Sequence, residues 1–171
     1  EAQKMLEKAF ELDPKSPVAA FNIAWQHYEA GDEDKAMEMF SYMIANDPYY
    51  PGAYVMVGLI LTKRGRLDQA IAMFNRALAV DQTNKEAVKG LMMATMDMGN
   101  MDGVWHWFEY AEQREGFFNE GYMNLMKARY YLIKGDKPQA LAYLDKTEFE
   151  HDMKGMNDMT EAEKHYIAGN Y

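Results

Sequence analysis

The stretch that decides the fold is Pro51–Asp81, which reads PGAYVMVGLILTKRGRLDQAIAMFNRALAVD. Its first half, roughly Ala53 to Lys63, carries apolar residues at helical spacing, and its second half, Leu67 to Val80, does so again. Gly65 separates the halves, because glycine takes the left-handed conformation that ends a helix without steric cost. The stretch therefore predicts two short amphipathic helices joined by a tight turn.

The apolar stripes of these two helices combine small and large side chains. Gly58 and Ala70 are small enough to let two helix backbones approach closely, and Leu61 and Phe74 can fill the space around such an approach. A single helix pair of this size cannot bury its apolar face. Stacking of several pairs is therefore predicted.

The pattern recurs along the chain. Gly31, Gly65 and Gly99 follow one another at a constant interval. In a common register with them lie Phe40, Phe74 and Phe108, and also Ile23, Val57 and Leu91. This resembles the tetratricopeptide repeat family, whose period of about 34 residues is the interval between these glycines. The resemblance implies an all-α fold, a right-handed superhelix (α-solenoid) of stacked helix-turn-helix repeats.

The repeat pattern predicts one array over residues 1–171. We expect residues 1–16 to be the second half of a repeat, followed by repeats at 17–50, 51–84, 85–118 and about 121–154, and the start of a further helix at about 160–171. The turns are predicted at Gly31, Gly65, Gly99 and Gly135. Because the sequence begins and ends inside repeats, we expect it to be a fragment of a longer array.

The composition argues against several classes of partner. Lysine and arginine total 18 against 27 aspartates and glutamates, a formal charge of −9. Nucleic acids and anionic membranes both favour basic surfaces, so neither is an expected partner. The chain has no cysteine, and no apolar run approaches the length that spans a bilayer. Membrane insertion is therefore not expected, and a reducing, cytoplasmic compartment fits the absence of cysteine.

No constellation typical of an enzyme is present. The sequence has no glycine-rich phosphate loop, no nucleophile elbow and no HExxH motif, so we expect neither catalysis nor a cofactor. Two methionine clusters raise the alternative of copper(I) binding: Met92, Met93, Met96, Met98 and Met101, and His151, Met153, Met156 and Met159. Methionine also fills irregular cores and lines adaptable surfaces, and this interpretation is favoured for both clusters.

The run Trp105–Tyr110 is unusually aromatic for a second helix of a repeat. Trp105 and Trp107 cannot both face the same way as Phe108. One of them is expected to pack under the linker near Phe117 and Phe118. A partner contact on the convex side is the alternative.

The family resemblance implies a concave groove lined by the first helix of each repeat. The residues it places there are Phe21, Asn22, Trp25, Tyr28, Val55, Met56, Leu59, Lys63, Lys89, Met93, Met96, Tyr122, Leu125, Met126 and Arg129. The chaperone-tail carboxylate clamp of some family members is not among them, because Phe21 and Trp25 replace its lysine and asparagine. An asparagine ladder is also missing, since only Asn22 matches it.

The predicted function is a protein-interaction scaffold that binds an apolar or amphipathic segment of a partner in this groove. Lys63, Lys89 and Arg129 at the edges would pair with acidic residues of that segment. The alternative is a structural spacer in a larger protein with no free peptide ligand, and copper(I) handling is a third. Self-association through uncapped ends is also expected, at Leu6, Phe10, Tyr166 and Ile167.

Overall fold

A computed structural model describes Met5, Lys8, Phe10, residues 16–147 and Lys164. Between residues 16 and 147 the regular structure is entirely α-helical, which confirms the predicted fold class. The helices are α1 (Pro17–Glu29), α2 (Glu33–Asn46), α3 (Pro51–Lys63), α4 (Leu67–Val80), α5 (Lys85–Asp97), α6 (Met101–Glu112), α7 (Glu120–Ile133) and α8 (Lys137–Leu144). These are the eight helices predicted for this range. Apart from Met5, Lys8, Phe10 and Lys164, the predicted half repeat at the start and the last helix near residue 160 lie outside the described residues.

The helix ends follow from local side-chain chemistry. The backbone N–H of Ala19 donates to the Ser16 hydroxyl at 3.4 Å, and that of Tyr122 donates to the Asn119 side chain at 2.7 Å, so polar side chains satisfy unpaired donors at two helix starts. The glycines of the four predicted turns all have positive φ, between +70° and +80°. Their positions are confirmed as Gly31, Gly65, Gly99 and Gly135. The sequence did not predict a further such turn at Gly116, with φ +68°.

The chain divides into two compact units, residues 1–97 and residues 98–171. In the first unit, which contains α1 to α5, Phe40 and Phe74 are fully buried. The Phe74 ring lies against two glycines on different helices: a Cβ at Gly58 would come within 2.6 Å of it, and a Cβ at Gly90 within 2.4 Å. Gly58, predicted to allow close helix approach, therefore makes room for an aromatic ring, and Gly90, which was not predicted in this role, does the same.

The second unit, which contains α6 to α8, has its own core. Leu125, Ala128, Ala140 and Leu144 form a buried cluster between α7 and α8. Phe108 of α6 is also fully buried, with its ring centroid 5.9 Å from that of Tyr130. Apolar burial thus holds α6, α7 and α8 together as the repeat pattern predicts.

Candidate protein-interaction surface

Helix α1 presents a face of clustered aromatic side chains. The ring centroid of Trp25 lies 6.3 Å from that of Phe21 and 5.8 Å from that of Tyr28. Phe21 continues the cluster inward, with its centroid 5.5 Å from fully buried Phe40 and 5.6 Å from Tyr50. The contact with Tyr50 was not predicted, because Tyr50 lies in the connection between two helices. The cluster holds the partly exposed Trp25 ring in place from below.

Three apolar residues at one repeat position remain exposed in the first unit. Trp25, Leu59 and Met93 follow one another at the interval of the repeat, on α1, α3 and α5. Their exposed fractions are 38%, 37% and 44%. We call these three residues the apolar row. Of the other predicted groove residues in this unit, Asn22 and Lys63 are exposed, and Phe21, Tyr28 and Lys89 are half-buried.

Three predicted groove residues of the first unit are instead buried. Val55 and Met56 lie in the interior on α3, and Met96 lies in the interior on α5. Helix α3 contacts α2, α4 and α5, so most of its circumference is covered and Leu59 is its one exposed apolar residue. The prediction that Val55, Met56 and Met96 line an open groove is therefore corrected: these side chains support the surface from within.

The predicted edge lysines already have partners within the protein. Lys63 of α3 forms a salt bridge with Glu33 of α2, and Arg64 joins it with a contact of 2.7 Å to Asp34. The hydrogen bond from Lys63 lowers the pKa of Glu33 below its ordinary value and raises the pKa of Lys63. The ammonium group of Lys89 lies 2.8 Å from the Glu86 carboxylate. Both lysines are thus already paired with carboxylates of the protein itself.

In the second unit the predicted groove residues are mostly covered. Leu125 and Met126 are buried, which corrects their assignment as open ligand contacts, and Tyr122 and Arg129 are half-buried. The Tyr122 ring packs 4.9 Å from that of Phe118. The repeat position of the apolar row is occupied on α7 by half-buried Arg129, so the row does not continue there, although Ile133 is exposed at another position of α7.

The aromatic run of α6 splits between two surroundings. The Trp107 ring lies 5.6 Å from that of Tyr110, which in turn is 6.1 Å from Phe117 of the linker. Tyr110 therefore lies between Trp107 and the linker, and direct packing of a tryptophan under the linker stays a prediction. Trp105 lies 5.6 Å from the Tyr130 ring and keeps an exposed fraction of 36%.

A cavity that the sequence did not predict lies in the first unit near α2. Its volume is about 310 Å³, and its lining residues are Phe10, His27, Lys35, Glu38, Met39 and Tyr42. Phe10, predicted as an exposed end residue, is half-buried with its ring edge against Tyr42 at 6.0 Å. The sequence signal was weak, because these residues come from three separate segments.

The methionines of the first cluster do not share one environment. Met92 and Met96 are buried on α5, whereas Met93 and Met98 are exposed. Within residues 16–147 and the few described outside them, no three or more His, Cys, Asp or Glu side chains are grouped so that they could hold a metal ion. The second cluster, from His151 to Met159, lies outside the described residues. Among the described helices none has the length and apolar character needed to cross a membrane.

Stacked pairs of antiparallel α-helices at a constant repeat interval define a helical-repeat protein. Two family models described as tetratricopeptide repeat match the chain, over residues 27–94 and residues 1–51. Together they span residues 1–94, more than half of the chain. The chain belongs to the tetratricopeptide repeat family, whose members are generally non-enzymatic scaffolds that bind protein partners.

Curated relatives resemble the chain over about half of its length. It is 33% identical over 84 residues to small glutamine-rich tetratricopeptide repeat-containing protein 2 of Mycosarcoma maydis, which is 49% of this chain and 24% of that protein. It is 29% identical over 90 residues to mitochondrial import receptor subunit TOM70 of Rattus norvegicus, which is 50% of this chain and 14% of that protein. The match thus spans about a quarter or less of these relatives' own length.

Solved structures resemble the fold over most of the chain. TTC0263, a TPR protein of Thermus thermophilus, has a TM-score of 0.74 at 19% identity, covering 98% of this chain and 89% of that one. YrrB, described as a TPR protein with an unusual peptide-binding site, has a TM-score of 0.66 at 22% identity, covering 85% and 74%. At these identities the likeness shows the fold, an all-α helical-repeat superhelix.

Proposed function

We propose that the first unit binds an apolar or amphipathic segment of a partner protein along the apolar row of Trp25, Leu59 and Met93. The observation that carries this proposal is their exposure at equivalent positions of three successive repeats. The same helices hold a second apolar row, Ile23, Val57 and Leu91, which is buried in the core. Burial in the core explains why Ile23, Val57 and Leu91 are apolar. It does not explain why the exposed residues of the apolar row are apolar.

The side chains of the apolar row suit binding energetically. Trp25 is backed by Phe21 and Tyr28, so little side-chain entropy is lost when a ligand covers it. Tryptophan is among the residues that dominate binding energy once water is excluded around them. Met93 is unbranched and polarisable, so it can adapt to different apolar side chains of the ligand.

The comparisons support the same type of function in proteins of this fold. TOM70 is named as an import receptor subunit, and YrrB is described as having a peptide-binding site. Both statements concern those proteins. They make a peptide segment the natural first candidate for the occupant of this surface.

The proposal can be tested by selecting a phage-displayed library of random dodecapeptides on the protein and measuring the affinity of the recovered peptides. Trp25→Ala should weaken binding by about 2 kcal/mol, on the order of thirtyfold, if Trp25 is a hot spot. Its cost to folding should stay well below the roughly 3–5 kcal/mol expected for Phe74→Ala, because Phe74 is fully buried. The matched control is Trp105→Ala, since Trp105 is a similarly exposed tryptophan on α6 and should leave the affinity unchanged.

Two results would contradict the proposal. If Trp25→Ala unfolds the protein as severely as Phe74→Ala, Trp25 is a core residue and cannot be the anchor of a groove. If peptides bind Trp25→Ala and the unaltered protein equally well, the recovered ligands use another surface.

A further inference from the structure

We propose that the segment bound along the apolar row is basic as well as apolar, with a lysine or arginine side chain lying on the Trp25 ring beside the Glu29 carboxylate. This inference rests on the proposed function and specifies the chemistry of its ligand. From Lys63, Lys89 and Arg129 at the edges of the groove, the sequence predicts a ligand with acidic residues. The ligand proposed here carries basic residues instead.

The charges next to the apolar row are effectively negative. Glu29, Lys63 and Asp97 occupy equivalent positions of three successive repeats, at the last turns of α1, α3 and α5. Lys63 is neutralised by its salt bridge with Glu33. Glu29 and Asp97 are exposed, and among the described residues neither has an ion-pair partner. Two carboxylates therefore remain available to a ligand cation at the two ends of this set.

The end of α1 combines the features that favour a cation. Glu29 follows Trp25 by four residues and therefore lies on the same helix face. The Trp25 and Tyr28 rings, with centroids 5.8 Å apart, offer π faces that attract a cation. The C-terminus of a helix also carries partial negative charge. Helix α1 contains no lysine or arginine, so it supplies no such cation itself.

Contacts of this kind already occur within the protein. In the second unit the Arg114 guanidinium lies 3.6 Å from the centroid of the Tyr110 ring, and the Lys134 ammonium lies 5.2 Å from that of Tyr130. These contacts show that cation–aromatic geometry is compatible with the helix faces of this fold. A ligand cation on Trp25 would have the same type of partner and a carboxylate in addition.

An acidic ligand would face a less favourable surface. To bind its carboxylates, Lys63 would have to leave Glu33, or Lys89 would have to leave Glu86. Each exchange replaces one ion pair by another and gains little. The formal charge of −9 also slows the approach of an acidic segment and favours the approach of a basic one.

The test uses the same random dodecapeptide library, selected in parallel on the unaltered protein, Glu29→Gln, Trp25→Leu and Glu38→Gln. Clones selected on the unaltered protein should combine apolar residues with an excess of lysine and arginine over aspartate and glutamate. Glu29→Gln and Trp25→Leu should reduce this excess while apolar residues stay enriched. Glu38→Gln removes an equal charge from an exposed position on α2 and should leave it unchanged.

A peptide recovered from the unaltered protein is then used to measure how much its basic residue contributes to the affinity. Replacing its basic residue by glutamine should weaken binding to the unaltered protein by about tenfold, from an ion pair and a cation–π contact together. The same replacement should have little effect on binding to Glu29→Gln carrying Trp25→Leu. The inference would be overturned if the selected clones were apolar without an excess of basic residues, or if that excess persisted in clones selected on Glu29→Gln. Either result would leave the proposed binding of an apolar segment along the apolar row uncontradicted. Clones that ignore Trp25→Ala would overturn the proposed function itself.

Discussion

Replacing Gly90 by alanine adds one methyl group at the glycine whose added Cβ would come nearest to another atom in the first unit. The new Cβ would lie 2.4 Å from the Phe74 Cζ atom and 2.5 Å from its Cε1 atom, far inside van der Waals contact. The ring cannot simply move away from α5, because Gly58 of α3 already lies against it from another helix, where a Cβ would be 2.6 Å from the ring. The strain must therefore move helices or force Phe74 off its rotamer.

Two opposing terms set the size of the effect. Alanine is favoured over glycine inside a helix by about 1 kcal/mol. Overpacking of a well-packed core costs about 1–3 kcal/mol, and the clamped ring places Gly90→Ala at the upper end of that range. We therefore expect a net loss of about 1–2 kcal/mol in the free energy of unfolding, although alanine is the better helix former.

The assay is urea unfolding of Gly90→Ala followed by far-ultraviolet circular dichroism. Ala72→Gly, at an exposed position of α4, measures the propensity term alone and should cost about 1 kcal/mol. Combining Gly90→Ala with Phe74→Leu should cost less than the sum of the two single changes, because the smaller side chain removes the clash. Two results would refute the clash with Phe74 as the cause of the lost stability. One is a Gly90→Ala protein as stable as the unaltered one, and the other is a double variant whose loss equals the sum of the Gly90→Ala and Phe74→Leu losses.

Three further predictions concern charge, turn geometry and metal. Glu33→Gln should be less stable than the unaltered protein above pH 4.5, the ordinary pKa of this group, and the difference should disappear as the pH falls through the lowered pKa of folded Glu33; a pH-independent difference in urea midpoints would contradict this. Gly65→Val should lose about 1–2 kcal/mol of stability and Gly65→Asn less, since asparagine tolerates positive φ; equal losses in denaturant titrations would argue against strain at the turn. Copper(I) titration should show no binding tighter than about micromolar, and tight stoichiometric uptake that is lost on changing Met153, Met156 and Met159 would overturn this expectation.

The eight helices, the turns at Gly31, Gly65, Gly99 and Gly135, and the core phenylalanines could be predicted from the sequence. With a fixed repeat period, each structural position occurs several times in the sequence. The environment of an ambiguous residue in one repeat can therefore be inferred from the residues at the same position in the other repeats. Phe40, Phe74 and Phe108 share one register, and all three are fully buried. The positive φ of the turn glycines follows equally from local chemistry, because the need for glycine depends on backbone geometry alone.

The surface was only partly predictable. Position in the repeat pointed to the residues of the apolar row, which are exposed, but it also assigned Val55 and Met56 to an open groove. These two residues are buried because α3 has α2, α4 and α5 as neighbours, and the number of neighbours of a helix is not encoded in its own periodicity.

What the sequence determined by itself was the helix-pair repeat: its period, its glycine turns and its core phenylalanines, all of which follow from helical spacing and local backbone preference. Only the tertiary structure decided that the charge of Lys63 is already neutralised. Lys63 and Glu33 lie in different repeats and meet because α2 packs against α3. Their pairing depends on the distance and angle between the helices and on the length of the two side chains. The net charge that a ligand would meet at this surface could therefore not be predicted from the sequence alone.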